Sequence, residues 1–449
     1  MKGYFSVKLN RNRAKFILFD FTLLFISIVI AYSIRFGFIL KKFSQLPIDR
    51  IIIYYLILLA QVTVLFYIVG LYERWGIANF GKTIIKLFIS TAAIGMFNGL
   101  IFYFFQTIYI GRTVFILQPV IFFVLAGMVK FIIIMKSGKK ERKNQIILVN
   151  LTKNEKELVL NEPAITKNYE FVEFQFKDKL ELENFIRNLD GKSITVISSA
   201  SKIVERHIDA FISLKFNKFN IYDIETFYSN VTGMVPINSL PKLWNLISEN
   251  EFVMGISSYY NLKRLIDIVF SIIVLIMTSP FFIIIPFLIK LSSRGPVFYT
   301  QERLGWNKKP FKLIKFRTML ADAEKETGPK WASESDARIT KVGKILRYTH
   351  IDELPQLINV LKNDMSFVGN RPIRKHFSDE LARNINYYDL RFFIKPGLTG
   401  WAQVHGSYAV PDGEKTLQYE LFYLKNMGLV FDLVILLKTL KTVFSLKGR

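Results

Sequence analysis

The chain has 449 residues, a length that corresponds to about three domains. It contains 60 Lys and Arg residues against 36 Asp and Glu residues, which gives a formal net charge of +24, and 51% of its residues are hydrophobic. A soluble nucleic-acid-binding protein or a disordered basic tail would contain fewer apolar residues, so we expect no nucleic-acid partner. A basic and apolar composition is typical of a membrane protein with its cations on one side. The absence of cysteine excludes disulfides and thiolate metal sites.

Four apolar segments occupy residues 16–34, 51–71, 87–105 and 114–135. At a rise of about 1.5 Å per residue, each can cross a hydrocarbon core of about 30 Å, which predicts a four-helix transmembrane bundle within residues 1–140. Cations concentrate before the first segment, between the second and third, and after the fourth, so we expect both ends of the bundle in the cytoplasm. Asp20 and Lys130 lie inside these segments. Because each is near a segment end we expect each to reach the membrane interface, the alternative being a functional role within the membrane.

Residues 141–255 have the pattern of a small Rossmann-like α/β domain. Apolar runs at 145–149, 171–176, 194–198 and 219–223 predict strands, and residues 180–188 and 201–216 predict helices. A dinucleotide site needs glycines directly after the first strand, but no glycine follows that strand before Gly191. We therefore expect a structural, dimerising or regulatory role for this domain, and no nucleotide site in it.

A fifth apolar stretch, residues 265–291, is interrupted by Ser279 and Pro280 and contains Pro286 as well. Each proline removes a helical hydrogen bond and bends the axis. Cations flank both ends of the stretch, at Lys263, Arg264, Lys290 and Arg294. This favours a re-entrant helix that enters and leaves the membrane on the cytoplasmic side, the alternative being a kinked helix that crosses it.

The C-terminal segment, residues 429–446, has leucines on one helical face. It reads equally well as an amphipathic helix on the membrane surface and as an ordinary core helix. The predicted fold is thus an integral membrane protein with a transmembrane bundle, an α/β domain and a mainly α domain over residues 256–449 that contains the re-entrant and interfacial helices.

The adjacent acids Asp352 and Glu353 are the strongest candidates for chemistry. Asp352 as a helix N-cap, with Pro355 in the first turn, would place both carboxylates at a helix N-terminus, where anions are favoured. Two adjacent acids can act as a nucleophile toward phosphorus and as a Mg²⁺ ligand. The alternative is that Asp352 is simply a helix cap.

Arginines surround this pair in the sequence. Guanidinium groups bind phosphate through two parallel hydrogen bonds, so a cluster of them predicts a pyrophosphate-containing substrate, with anionic lipid as the alternative partner. The candidates are Arg303, Arg317, Arg338, Arg347 and Arg371.

With these motifs, residues 263–447 resemble the catalytic domain of the polyprenyl-phosphate sugar-1-phosphate transferases of bacteria, and the preceding helices and α/β domain resemble the long subgroup of that family. The matching blocks are Gln-x-Arg-x-Gly at 301–305, Lys-Phe-Arg-Thr-Met at 315–319, Asp-x-Arg-Ile-Thr at 336–340, Asp-Glu-Leu-Pro-Gln at 352–356 and Pro-Gly-Leu-Thr-Gly-Trp at 396–401.

The resemblance implies that Asp352 attacks a UDP-sugar, releases UMP and passes the phosphosugar to polyprenyl phosphate, which initiates an exopolysaccharide, capsule or O-antigen. It also implies that Glu353 binds Mg²⁺, that Arg347 and Arg371 contact phosphates, and that Arg303, Arg317 and Arg338 have less defined roles. Ser279 and Pro280 would form the break of the re-entrant helix. The protein would lie in the bacterial inner membrane with its catalytic domain on the cytoplasmic face, and a homodimer is an open alternative for its oligomeric state.

Three positions depart from the family pattern. Asn370 stands where a proline usually precedes the arginine, Ser407 replaces an arginine, and Glu420 replaces an aspartate. Loss of the fixed φ of proline should loosen the Arg371 loop. The sugar and the polymer stay undetermined, and the alternative function is a non-catalytic membrane scaffold or lipid transporter.

Overall fold

The computed structural model describes residues 11–36, 48–69, 71–72, 80–104, 112–137, 144–187, 194–216, 219–237, 256–320, 338–406 and 413–444. The chain divides into two compact units at the boundary between residues 142 and 143. Ser407 and the last residues of the C-terminal segment lie outside the described residues.

The N-terminal unit contains the helices α1 Arg11–Phe36, α2 Ile48–Val69, α3 Phe80–Phe104 and α4 Arg112–Ser137. Within the described residues α1, α2 and α4 are long and apolar enough to cross a membrane, and α3 has a shorter apolar part, Thr83–Gly99. Leu24, Leu58, Phe66 and Phe122 pack in the interior, whereas many large apolar side chains face outward. An apolar exterior around an apolar core is the pattern of a membrane protein.

Asp20 and Lys130 form a buried ion pair inside this unit. Lys130 Nζ lies 3.2 Å from Asp20 Oδ1, and the two residues are only 3% and 2% exposed. The ammonium group also lies 5.1 Å from the centre of the Phe66 ring. The prediction that each charge reaches the interface is therefore wrong. A charged group in an apolar interior is stable only when it is paired, and the chain pairs these two across α1 and α4.

The α/β domain contains β1 Asn144–Val149, α5 Lys153–Leu160, α6 Pro163–Thr166, β2 Tyr169–Phe174, α7 Lys179–Arg187, β3 Ile194–Ile197, α8 Lys202–Arg206, α9 Ile208–Phe216, β4 Asn220–Asp223 and α10 Ile224–Thr232. Its four strands are parallel and lie in the order β2-β1-β3-β4. The predicted strands are confirmed, although β2 begins two residues earlier than expected. The single helix predicted over residues 201–216 is two helices, because the helical conformation is interrupted at His207.

The carboxyl edge of β1 and β3 is closed by the side chain of Glu155. Its carboxylate accepts hydrogen bonds from the backbone N–H groups of Thr152 and Ser199, at 2.8 and 3.0 Å, and from the hydroxyl of Ser198. Strand order reverses between β1 and β3, and in parallel sheets ligand phosphates bind at such a point through free N–H groups. Here the Glu155 carboxylate accepts the hydrogen bonds of the N–H groups of Thr152 and Ser199 instead.

The α/β domain shares a hydrophobic core with the C-terminal residues. Trp401 Nε1 donates to the carbonyl of Gly233 at 2.8 Å, and the backbone N–H of Val235 donates to the carbonyl of Gln418. Gly233 has a left-handed φ of 73°, and a Cβ there would lie 3.0 Å from the Trp401 ring. The indole therefore packs against a glycine turn that ends α10.

The fifth apolar stretch forms the helices α11 Ile256–Thr278 and α12 Phe281–Ser292, which meet at a bend of 60°. The break lies at Ser279 and Pro280, as predicted. Both outer ends contact the folded region that follows: Lys263 Nζ lies 2.7 Å from Asp432 Oδ2, and the Arg317 guanidinium donates to the Ser293 carbonyl at 2.8 Å.

The rest of this region consists of β5 Phe298–Leu304, β6 Pro310–Phe316, α13 Lys341–Tyr348, α14 Gln356–Leu361, β7 Ser366–Val368, α15 Lys375–Asn384, β8 Gly397–Thr399, α16 Gly413–Lys425 and α17 Leu429–Phe444. β5 and β6 form an antiparallel hairpin, and β7 and β8 are parallel. In α17, Phe431 and Ile435 are buried in the core, whereas Leu433 and Leu440 are exposed. The helix therefore packs in the core along one face, and contact of its exposed leucines with a membrane surface stays a prediction.

Candidate active site

Asp352 and Glu353 lie in a short 3-10 helix, Ile351–Glu353, that precedes α14. His350 takes a left-handed φ of 56° and turns the chain, and its carbonyl accepts from the backbone N–H of Glu353 at 3.1 Å. Asp352 is not an N-cap, so that prediction is wrong. Pro355 is the residue before α14, and no side chain caps this helix. Both carboxylates are consequently free for other partners.

Two cations hold the Glu353 carboxylate. Lys315 Nζ lies 2.8 Å and Arg371 Nη2 lies 3.3 Å from Glu353 Oε1. Burial alone would raise the pKa of Glu353, but the charges of Lys315 and Arg371 outweigh it and hold the pKa well below its usual value. Glu353 is thus a carboxylate at neutral pH.

The Asp352 carboxylate differs from its neighbour. It is 7% exposed, and it makes no hydrogen bond to any residue that the structure describes. Burial and the negative charge of Glu353 raise the pKa of Asp352 to about 6, while Lys315, Arg347 and Arg371 act in the opposite direction. A buried carboxylate that no described residue bonds and that lies near three cations can act as a nucleophile toward an anionic phosphorus centre.

Arg347 reaches this cluster from α13. Thr340 caps that helix by accepting from the backbone N–H of Gly343 at 2.9 Å. A Cβ at Gly343 would lie 2.0 Å from the carbonyl oxygen of Thr318, so only glycine lets the helix approach this segment. Arg347 Nε then donates to Thr318 Oγ1 at 2.9 Å, and its charge lowers the pKa of Asp352.

The other three predicted arginines lie elsewhere. Arg317 is buried against Ser293 at the end of α12, Arg303 donates to the Pro372 carbonyl at 3.3 Å, and the Arg338 carbonyl accepts from Leu320. In the described part of the chain, no hydrogen bond or ion pair joins these three to the acid pair. The structure therefore brings Arg347 and Arg371 to the carboxylates and gives Arg317 a contact with the bent helix.

Sequence reasoning missed Lys315 and Arg391. Lys315 was inside a recognised block, but only the register of β6 and the 3-10 turn shows that its ammonium group meets Glu353. Arg391 makes two hydrogen bonds with the Arg371 loop. Its guanidinium donates to the Arg371 carbonyl at 3.0 Å, and its own carbonyl accepts from Asn370 Nδ2 at 2.8 Å. That side-chain hydrogen bond restrains the loop where the family uses a proline.

The acid pair fits a magnesium ion of the substrate-bridging kind. Mg²⁺ is commonly held by one or two carboxylates, with phosphate oxygens and waters as the other ligands. Lys315 and Arg371 both bind Glu353 Oε1, and no residue that the structure describes bonds Oε2. Within those residues there is no group of three or more acidic or histidine side chains that could hold a metal ion.

The comparisons with known proteins identify the family of the C-terminal region. The family model for bacterial sugar transferases matches residues 258–446. The chain is 44% identical, over 36% of its length and 80% of the relative, to a putative undecaprenyl-phosphate N-acetylgalactosaminyl 1-phosphate transferase of Bacillus subtilis. The chain belongs to the bacterial sugar transferase family.

Two longer relatives extend the match. A UDP-N-acetylgalactosamine-undecaprenyl-phosphate N-acetylgalactosaminephosphotransferase of Aeromonas hydrophila is 37% identical over 50% of this chain and 52% of its own length. A UDP-glucose:undecaprenyl-phosphate glucose-1-phosphate transferase of Klebsiella pneumoniae is 33% identical over 60% of this chain and 53% of its own length. The chain thus matches about half the length of these two relatives.

Proposed function

We propose that this protein transfers a sugar-1-phosphate from a UDP-sugar to polyprenyl phosphate and so initiates a bacterial surface polysaccharide. The observation that carries the proposal is the buried Asp352 carboxylate, which is free of hydrogen bonds to described residues and lies near Lys315, Arg347 and Arg371. The names of the related enzymes supply the two substrate classes.

In the first step, an Asp352 carboxylate oxygen attacks the phosphorus that carries the sugar. A new bond forms between this oxygen and phosphorus, and the bond between phosphorus and the bridging oxygen breaks. UMP leaves with the bridging oxygen, and the phosphosugar stays on Asp352 as an acyl phosphate. Arg347 and Arg371 bind the phosphates and neutralise charge that grows on the leaving group.

In the second step, a phosphate oxygen of the polyprenyl phosphate attacks the same phosphorus. The new bond forms a diphosphate, and the bond to Asp352 breaks, which restores its carboxylate. Neither step requires a proton to be added or removed, because attacking and leaving groups are both anions. Electrostatic positioning is therefore the main task of the site.

Glu353 is the residue that would hold Mg²⁺, which when bound supplies charge neutralisation for the diphosphate. Lys315 and Arg371 keep Glu353 ionised and hold its Oε1, so Oε2 is the oxygen that would be left to bind the ion. A neutral Glu353 would be a poor ligand, and its lowered pKa prevents this.

We propose further that α11 and α12 form a re-entrant membrane helix on the cytoplasmic face of the inner membrane, with the α1–α4 helices as a multi-pass anchor. The 60° bend and the contacts of both outer ends with the same folded region support this. A straight crossing helix would instead separate its ends by about 30 Å. Re-entrance keeps the acid pair at the interface, where the phosphate of a lipid acceptor lies.

The test is UMP release from UDP-sugars by membranes that contain the protein, with added polyprenyl phosphate. Donors to be screened are UDP-glucose, UDP-galactose, UDP-N-acetylglucosamine and UDP-N-acetylgalactosamine. Asp352→Asn should abolish UMP release without lowering thermal stability, because burial already disfavours the charge of Asp352. Asp379→Asn, at an exposed position of α15, is the matched control and should retain activity.

Wild-type turnover in Asp352→Asn would contradict the nucleophile assignment. Failure of the wild-type protein to release UMP from any donor would favour the scaffold or lipid transporter alternative.

A further inference from the structure

The loop that carries Arg371 is anchored by a buried ion pair that takes no direct part in the proposed reaction. Arg391 lies in the 3-10 helix Tyr388–Phe393, and Glu420 lies in α16. Arg391 Nη2 is 2.7 Å from Glu420 Oε1, and the two residues are 3% and 2% exposed. Such a buried pair is costly to break, since a lone charge would remain in the interior.

Arg391 also holds the backbone of the Arg371 loop. Its Nη2 donates to the Arg371 carbonyl at 3.0 Å. The preceding residue is fixed as well, because Asn370 Nδ2 donates to the Arg391 carbonyl at 2.8 Å. Two hydrogen bonds with Arg391 thereby restrain the backbone at Asn370 and Arg371.

The Arg391 guanidinium is itself held in one orientation. Its Nη1 donates to the Tyr388 hydroxyl, and its centre lies 5.0 Å from the centre of the Tyr388 ring. A guanidinium is a planar fork of donors, so a fixed plane directs each donor to one acceptor. From this anchored backbone the Arg371 side chain extends to Glu353, with 3.3 Å between Nη2 and Oε1.

We propose that Arg391, Glu420 and Asn370 are positioning residues that hold the Arg371 guanidinium at the acid pair. The inference rests on the function proposed above. Asn370 and Glu420 both contact Arg391, which contacts the Arg371 carbonyl. The three residues thus act together to fix the position of Arg371, a phosphate-binding arginine.

A double-mutant cycle tests whether Arg391 acts through Arg371. Arg391→Lys keeps a positive charge opposite Glu420 but loses the planar guanidinium, whose Nη2 donates to both Glu420 and the Arg371 carbonyl. We expect it to lower kcat/KM about tenfold in the wild-type background, since small misplacements of a binding group are expensive. In an Arg371→Lys background we expect it to lower kcat/KM by less than about twofold, because coupled residues are not additive.

The assay is UMP release from the UDP-sugar that wild-type membranes cleave fastest in the donor screen, with undecaprenyl phosphate as acceptor. Asp389→Asn is the matched control, because Asp389 lies on the same 3-10 helix as Arg391. The variant breaks the exposed ion pair between Asp389 and Lys308 and leaves Arg391 unchanged. Its kcat/KM should equal that of the wild type. Thermal melting of each variant separates loss of positioning from loss of the fold.

An equal loss in both backgrounds, or no loss in either, would overturn the inference while leaving the proposed function intact. If Arg391→Lys fails to fold, Asn370→Ala takes its place, because it removes only the hydrogen bond to the Arg391 carbonyl. The same non-additivity with Arg371→Lys is then required. A wild-type protein without UMP release would overturn the proposed function, and the inference with it.

Discussion

The ammonium group of Lys315 lies 2.8 Å from Glu353 Oε1, and this contact distinguishes two adjacent carboxylates. Glu353 is held by Lys315 and Arg371, whereas Asp352 makes no hydrogen bond with the described residues. The pKa values of the two acids consequently shift in opposite directions, downward for Glu353 and upward for Asp352. Neighbouring acids with separated pKa values can perform different tasks in one site.

The raised pKa of Asp352 predicts an acid limb in the pH profile. Only the ionised carboxylate attacks phosphorus, and burial raises its pKa to about 6. Activity should therefore be full above this value and fall as the pH decreases through it. The measurement is kcat/KM for UMP release between pH 5 and pH 8, at about constant ionic strength. A profile that stays flat down to pH 5 would contradict the assignment.

Replacement of Lys315 should move this limb. Lys315→Gln removes a cation that lowers the pKa of both acids, so both pKa values should rise. We expect the acid limb to shift to higher pH by about one unit. Lys312→Gln is a control on the same strand, since Lys312 is exposed. Equal profiles for Lys315→Gln and the wild type would show that Lys315 does not act on Asp352.

The buried pair of Asp20 and Lys130 should contribute to the stability of the N-terminal unit. Asp20→Asn leaves Lys130 buried without its counter-charge, and we expect a loss of about 3–5 kcal/mol in the free energy of unfolding. The double variant Asp20→Asn with Lys130→Met removes both charges and should recover most of this loss. Thermal unfolding in detergent measures both. Equal destabilisation of the single and double variants would contradict the pairing.

If α11 and α12 form a re-entrant helix, the C-terminal end of α12 is accessible from the cytoplasmic side of the membrane. Because the chain has no cysteine, Arg294→Cys introduces a single thiol just after α12. A membrane-impermeant maleimide should label it in inverted vesicles and not in intact spheroplasts. Lys41→Cys, in the connection expected on the opposite side, is the control with the reverse pattern. Labelling of residue 294 from outside would support a helix that crosses the membrane.

The local pattern predicts much of this fold. The parallel strands, the apolar helices and the break at Ser279 and Pro280 follow from periodicity and from the chemistry of proline, which act over a few residues. The prediction that Asp352 is a helix N-cap is also local, but it is wrong. His350 takes a left-handed conformation, which is unusual for a residue with a side chain. Here the surrounding structure overrides a common local preference.

Sequence patterns identify the candidates: an adjacent acid pair, a set of arginines and the family that they resemble. Which of these residues contact each other depends on the tertiary structure. Lys315 is 38 residues from Glu353, and Lys130 is 110 residues from Asp20. Arg391 is 29 residues from Glu420. Burial makes unpaired charges unfavourable, so distant residues must pair, and their partners depend on how strands and helices pack and not on spacing along the chain.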